Sequence, residues 1–425
     1  MIHAFSALQW HSIFIWVVSL ASIALVLIRP KELPEAWWAM AGACLLVVCR
    51  LISPITAIQA VEKGTDVYLF LIGMMVMSEL ARREGVFDWV AAYAVRASRG
   101  SRGRLFLIVY CVGALVTIFL SNDATAVVLT PAVLAAVRAA DVEPLPYLLI
   151  CAFIANAASF VLPISNPANL VVYSHAMPPL GRWLSIFALP SIASILVTFI
   201  ILRWLARSSL SGSVKANGDG QPLSHAGKLT ICGIAFLGMA LMTASIFGLD
   251  LGAPACVAGL LVASAISLQD RQTPKEIIKE ISWSVIPLVA GLFVVVEALN
   301  TAGALHAAFN FIQTMKTWPP LRAAFGSAFG VAFLSNVLNN LASGLISGAA
   351  VKAAGATGPL GHAVLIGVDL GPNLSITGSL ATILWLVAIR REGEEIGFLK
   401  FLRWGAVIMP PALALAVLAT VLGPP

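Results

Sequence analysis

Long apolar runs, broken by short polar interruptions, fill almost the whole chain. Runs at 10–28, 36–52 and 67–80 are long enough, or nearly so, to cross a hydrocarbon layer of about 30 Å as helices. A shorter amphipathic stretch at 86–97 follows, with Arg96, Arg99, Arg102 and Arg104 after it, and reads as an interfacial helix. The next apolar pair, 104–120 and 126–137, is separated by the sequence FLSNDATAVVLTP at 119–131. Ser121, Asn122, Asp123 and Thr125 are poor interior residues for one continuous helix, because such side chains compete for their own backbone. Non-helical backbone at membrane depth is tolerated only inside protein. The pattern therefore predicts a re-entrant helical hairpin with a buried polar tip. Beyond it, 146–162 is apolar until PISNPANL at 163–170, where two prolines break the helix. A span at 183–204 closes the first half. Residues 208–222, rich in Ser, Gly, Asn and Asp, form the one linker-like stretch.

The second half repeats the first, with runs at 229–247, 254–268 and 285–299, then an amphipathic 304–315. An apolar 322–334 meets the polar sequence SNVLNN at 335–340. After it come 341–354, a broken segment around 369–382 and a last span at 398–421. Gly73, Glu79 and Gly85 correspond to Gly291, Glu297 and Gly303, each 218 positions later. The letters Phe119–Asn122 recur as Phe333–Asn336, 214 later, Asn156 falls opposite Asp369, and the 163–170 break falls opposite 376–382. Each half holds five spans and one hairpin, and five is odd, so the halves insert in opposite senses. The expected fold is an all-α polytopic membrane protein: an inverted repeat with ten spans, two hairpins and two broken helices. The first repeat is 1–207, the central cytoplasmic linker 208–226 and the second repeat 227–425.

Charge orients this count. Of 26 Lys and Arg, only Arg50, Lys63, Arg182, Lys316, Arg322 and Lys352 fall in the loops of one side when both termini share a side. The remainder, including Arg29, Lys31, Lys215, Arg271 and Lys275, fall on the other, which the positive-inside rule makes cytoplasmic. Both termini are then periplasmic, and the two hairpin tips enter from opposite sides and meet near mid-bilayer. Composition agrees: 60% of residues are hydrophobic and 11% charged, against about one quarter charged in a soluble domain. Cys44, Cys49, Cys111, Cys151, Cys232 and Cys256 lie in apolar runs without CxxC spacing, which implies neither disulfides nor zinc. The N-terminus lacks the basic region of a signal peptide, so 10–28 should remain as a span. No P-loop, HExxH, GxSxG or His–carboxylate pairing argues for ATP hydrolysis or an embedded enzyme, the histidines do not cluster, and no cofactor or nucleic-acid partner is implied.

Two polar tips and two broken helices in an inverted repeat point to a transport site. Its candidate binding residues are Ser121, Asn122, Thr125, Asn166, Asn169, Ser335, Asn336, Asn339, Asn340, Asn373, Thr377 and Ser379, with Thr382 beside them. Amides and hydroxyls suit a small neutral polyhydroxyl solute or a monovalent cation; a dianion would want Arg. The bland alternative is polar glue between helices. Asp123 and Asp369 can carry protons, unless they act as fixed cation ligands or stay neutral at a helix N-terminus. Glu79 and Glu297 stand at span ends and read as side chains that snorkel to the interface. Cys111 and Cys151 could ligate a soft metalloid, but buried free cysteine more often packs as a small hydrophobe.

The runs at 72–96, 119–131 and above all IGVDLGPNLSITGSLATILWL at 366–386 resemble the arsenite/antimonite efflux permeases of the ArsB family, within the ion transporter superfamily. The resemblance extends over nearly the whole chain. It implies export of As(OH)3 and Sb(OH)3 across the inner membrane in exchange for protons, sometimes assisted by a separate cytosolic ATPase. It also implies scaffold and transport layers that move against each other. The chain departs from the family at Asn156, where an acid is common, and at Leu341-Ala342-Ser343, where Pro-Thr is expected. A sodium/proton antiporter, another small-anion carrier or a passive channel are the rival readings.

Overall fold

The computed structural model describes residues 2–28, 30, 33–173, 177–214, 222–269 and 279–423. Arg29, Lys31, Lys215, Arg271, Lys275 and part of the linker lie outside the described residues. The described chain is helical throughout, without strands. The first repeat comprises α1 (Ile2–Ile28), α2 (Glu35–Val48), α3 (Pro54–Glu62), α4 (Thr65–Arg83), α5 (Val86–Ala97) and α6 (Arg102–Phe119). One helical turn at Asn122–Ala124 and a π-helical turn at Thr125–Leu129 lead into α7 (Thr130–Ala139). Then follow α8 (Leu145–Ala157), α9 (Pro167–Tyr173) and α10 (Leu180–Leu205). The second repeat is α11 (His225–Ile246), α12 (Gly252–Gln269), α13 (Val285–Thr301), α14 (Ala304–Lys316), α15 (Pro320–Leu338), α16 (Asn340–Ala353), α17 (Pro359–Leu370), α18 (Leu380–Arg391) and α19 (Phe398–Leu422).

Among the described residues, α6, α10, α11, α15 and α19 are each long and apolar enough to span alone. The pairs α3–α4 and α13–α14 pass the same test as helices bent by 48° and 72°. The apolar part of α1, and α2, α8 and α12, are shorter. α6 and α15 are the first arms of the hairpins, and the chain turns back after each of them. Hydroxyl pairs staple the arms together: Thr117 Oγ1 to Thr125 Oγ1 at 2.8 Å, and Ser335 Oγ to Ser343 Oγ at 2.6 Å. These pairs are 218 residues apart, as are Gly85 and Gly303, which turn α4 into α5 and α13 into α14 with φ of 69° and 98°. Only glycine takes that corner cheaply, which gives the duplicated glycine a backbone reason. α5 is less interfacial than its pattern predicted: Val86, Phe87, Ala91, Ala94 and Val95 are buried against the first hairpin and α4.

The repeats are interleaved. α4 packs on α12, and α2 packs on α13, so the third span of each repeat lies on the second span of the other. Gly73 and Gly291 sit at the two crossings. A Cβ on Gly73 would stand 2.3 Å from the Ala255 carbonyl oxygen, and one on Gly291 would stand 2.8 Å from the backbone of Ala39. Small residues allow backbones this close in a membrane, where dispersion contacts do most of the work of association.

One correction concerns register. The first hairpin reverses at Ser121 and the second at Asn339, again 218 apart. The repeated letters at 119–122 and 333–336 are therefore one helical turn out of structural register. Ser335 and Asn336 lie inside α15, and the partner of Asn122 is Asn340. Past the tips the offset falls to 213, because the first returning arm, with its π turn, is longer: the 3-10 turn Pro163–Ser165 matches Ile376–Gly378.

Candidate functional site

Asn122 and Asn340, each the first residue after a reversal, face one narrow central gap together with Asp123 and Asn166. Leu71, Val285, Val289, Leu341, Leu380, Ala381 and Pro167 complete its wall, and no Lys or Arg lines it. Its volume is about 10 Å³, room for about one water. The carbonyl oxygens of the Asn122 and Asn340 side chains are buried there and meet no donor among the described residues. Orphaned buried acceptors cost about 1–3 kcal/mol each, so they are the atoms a polar solute would satisfy.

The two breaks exchange hydrogen bonds in a symmetric way. Asn166, at the end of the first break, donates through Nδ2 to Asp369 Oδ1 at 2.9 Å. Ser379, the matching residue of the second break, donates to Asn156 Oδ1 at 3.2 Å, and Asn156 matches Asp369. Asn156 in turn donates to Asn373 Oδ1 at 3.1 Å and Thr382 Oγ1 at 3.2 Å. Asp369 is fully buried, and its Oδ2 meets no donor among the described residues.

Several expected site residues serve the backbone around the gap. Thr125 is turned between the hairpin arms, and Ser335 mirrors Thr117 in the second hairpin. Asn169 donates to the carbonyls of Ser159, Leu162 and Pro163, holding the first break. Asn336 donates to Ala332 and Gly371 and accepts from Ser375 Oγ, and Thr377 donates to its carbonyl, so both lace the second break to α15. Asn373 donates to the Phe153 carbonyl at 3.0 Å. Ser121 and Asn339 cap the returning helices, accepting from Ala124 N at 3.2 Å and Leu341 N at 3.0 Å. Asn339 does so at φ 77° and ψ 152°, outside the left-handed helical region and in a conformation otherwise left almost entirely to glycine. Cys151 is buried in packing, and Cys111 is exposed on the outer side of α6.

Two vestibules lie at opposite ends of α4 and α13. The first, about 80 Å³, is lined by Ser78, Glu79, Ser121, Asp123, Val127 and Glu280 among others. The second, about 270 Å³, is lined by Lys63, Asp66, Phe293, Val296, Glu297, Asn300 and Leu345 among others. They are related by the repeat: Met75, Ser78, Glu79 and Val127 of the first match Phe293, Val296, Glu297 and Leu345 of the second. The first shares Leu71, Asp123, Pro167 and Val285 with the central gap; the second shares no lining residue with it. Glu79 is only 9% exposed and does not snorkel. Arg82 Nε donates to both its oxygens at 3.0 and 3.1 Å, and the same guanidinium pairs with Glu280. Glu297 accepts from Lys63 Nζ at 3.0 Å.

A family model described as "Citrate transporter" matches residues 23–389. The chain belongs to that family. Along nearly its whole length this citrate-transporter-family chain is also similar to arsenical pump membrane proteins. It is 26% identical to one of Escherichia coli over 419 residues, covering 94% of this chain and 96% of the relative. It is 24% identical to a putative one of Bacillus subtilis over 410 residues, covering 90% and 93%. Among solved structures, the Alcanivorax borkumensis YdaH transporter, reported to have an unusual topology, aligns with a TM-score of 0.55 at 18% identity, covering 87% of this chain and 89% of that one. The family places the chain among multi-pass membrane transporters. Sequence reasoning missed the hydrogen bonds that join Asn156 to Asn373, Thr382 and Ser379, and the vestibule setting of Glu79 and Glu297. The constant offset of 218 through the first tip was the available signal for pairing Asn122 with Asn340.

Proposed function

We propose that this transporter exports As(OH)3 and Sb(OH)3 from the cytoplasm in exchange for protons. The observation that carries the reading is the central gap, which two asparagines with orphaned amide oxygens line and no Lys or Arg does. Trivalent metalloid hydroxides are small and uncharged and donate O–H bonds, which is what such acceptors need. Citrate, the rival cargo suggested by the family description, carries several carboxylates and would be served by Arg or Lys. The arsenical-pump relatives support the same cargo.

In this reading the repeats 1–207 and 227–425 are inverted about the 208–226 linker, and the first vestibule opens to the cytoplasm. Substrate enters past Asp123, the tips part to admit it, and Asn122, Asn340 and Asn166 bind its hydroxyls. Ser121 and Ser379 hold the adjoining helix starts in place. Asp123 lines the first vestibule, whereas Asp369 lines neither vestibule nor the gap and is buried against the Asn166 amide. Its unpartnered Oδ2 is where a proton can reside. Proton and substrate then exclude each other, and the hairpins with their broken helices shift against α2, α4, α12 and α13 to face the second vestibule.

Everted vesicles containing only this chain test the reading, and they separate proton-driven export from any assistance by a cytosolic ATPase. Acidifying the interior should drive arsenite accumulation, and Asp123→Asn and Asp369→Asn should each reduce it to background. Undiminished transport by both variants removes the coupling assignment. Accumulation of citrate but not arsenite removes the cargo, and a response to sodium alone favours the antiporter reading.

A further inference from the structure

Away from the transport path, the C-terminal end of α10 and the start of α6 enclose a groove of about 510 Å³. Phe199, Ile200, Arg203, Trp204, Arg207 and Ser211 line it, and no Asp or Glu does. It shares no residue with the vestibules or the gap. Arg203 Nη1 donates to the Gly103 carbonyl at 3.2 Å, which ties the guanidinium to the foot of the first hairpin. The Arg207 guanidinium lies over the Trp204 ring, 5.2 Å from its centroid. An arginine offers five N–H donors in a planar fork, so both side chains keep donors for an oxyanion after these contacts.

Three other arginines of the basic loops have carboxylate partners. Arg82 has Glu79 and Glu280, Arg138 has Glu394, and Arg390 has Glu395. On the membrane side of the groove, Ile192, Leu196 and Ile200 are exposed at intervals of four residues and lead directly to Trp204. That stripe is about 12 Å long, enough for much of an acyl chain. Tryptophan is enriched at the headgroup level, where one end of its ring is dry and the other wet.

We propose that this groove binds one anionic phospholipid, with its phosphate between Arg203 and Arg207 and an acyl chain along the α10 stripe. Charge complementarity selects the anionic class, because basic pockets between spans attract acidic headgroups and a choline ammonium would face two guanidiniums. The lipid would bridge α10 to the moving hairpin's first arm.

The test is native mass spectrometry of the full-length detergent-solubilised chain, titrated with dioleoyl-phosphatidylglycerol and separately with dioleoyl-phosphatidylcholine. The wild-type chain should bind phosphatidylglycerol more tightly. Arg203→Gln with Arg207→Gln should weaken that affinity by about 30-fold, equivalent to about 1 kcal/mol per arginine, and leave phosphatidylcholine unaffected. Arg390→Gln with Arg391→Gln should change neither. The proposal is overturned by equal phosphatidylglycerol affinity in the double variant, by phosphatidylcholine binding as tightly, or by millimolar inorganic phosphate displacing the lipid.

Discussion

In the first repeat the acidic residue stands at the hairpin tip, where Asp123 borders both the central gap and the first vestibule. In the second repeat that position is Leu341, and the acid lies instead on the broken helix as Asp369, whose counterpart in the first repeat is Asn156. The two carboxylates are thus not symmetry mates. The backbone is duplicated closely enough that hydroxyl staples, glycine corners and break-to-helix hydrogen bonds all recur, while the ionisable chemistry is divided between two different sites. In the proposed cycle the symmetric frame lets the repeats exchange conformations, and the unlike carboxylates make the two halves of that exchange chemically different, with Asp123 bordering a vestibule and Asp369 buried against the Asn166 amide.

The sharpest way to break this comparison is at the tips. If Asn122 and Asn340 are equivalent, Asn122→Ala and Asn340→Ala should depress vesicle arsenite uptake alike, by about 5–150-fold for one lost polar contact worth about 1–3 kcal/mol. Asn336→Ala should instead act mainly on thermal stability, through the second break; equal uptake losses for Asn336 and Asn122 would restore the letter-matched register. The next test concerns the breaks. Asn166→Ala removes a 2.9 Å amide donor from Asp369 and should cost more in thermal unfolding than Ser379→Ala, which loses its cap on Thr382 N but leaves Asn156 bonded to Asn373 and Thr382. A difference of about 1 kcal/mol is expected, and the reverse order would show that the breaks are not equivalent in the way the hydrogen bonds indicate. The smallest effect belongs to the vestibule mouths. Lys63→Gln should cost about 0.2–1 kcal/mol, diminishing with added salt, since Lys63 is 58% exposed. A salt-independent loss would mean that the pair does more than clasp α13 to the start of α4.

Much of this architecture can be read from the sequence because a membrane forbids unsatisfied backbone. Where Asn, Asp, Ser and Pro interrupt an apolar run, the chain must break inside protein, and the hairpins and broken helices occur at those places. The tip register was not legible from letters, since Ser335 and Asn336 look like a turn yet continue α15, with each side chain bonding a carbonyl four residues back. Composition could not distinguish residues that line the gap from residues that brace it either. Asn169 and Asn340 are both buried asparagines, and only the fold tells one from the other. The partners of Glu79 and Glu297 are not legible locally because part of each setting comes from far along the chain: Glu280 reaches Arg82, the partner of Glu79, across 198 positions, and Lys63 reaches Glu297 across 234.

The backbone contacts at Gly73 and Gly291 have a consequence for the origin of the molecule. Each half offers its partner a notch and fills the partner's notch in return, so a solitary half would present an unfilled notch to lipid. An ancestor made of a single copy would have been competent only as an antiparallel couple. Fusion of two such genes would then have fixed a partnership that packing already required.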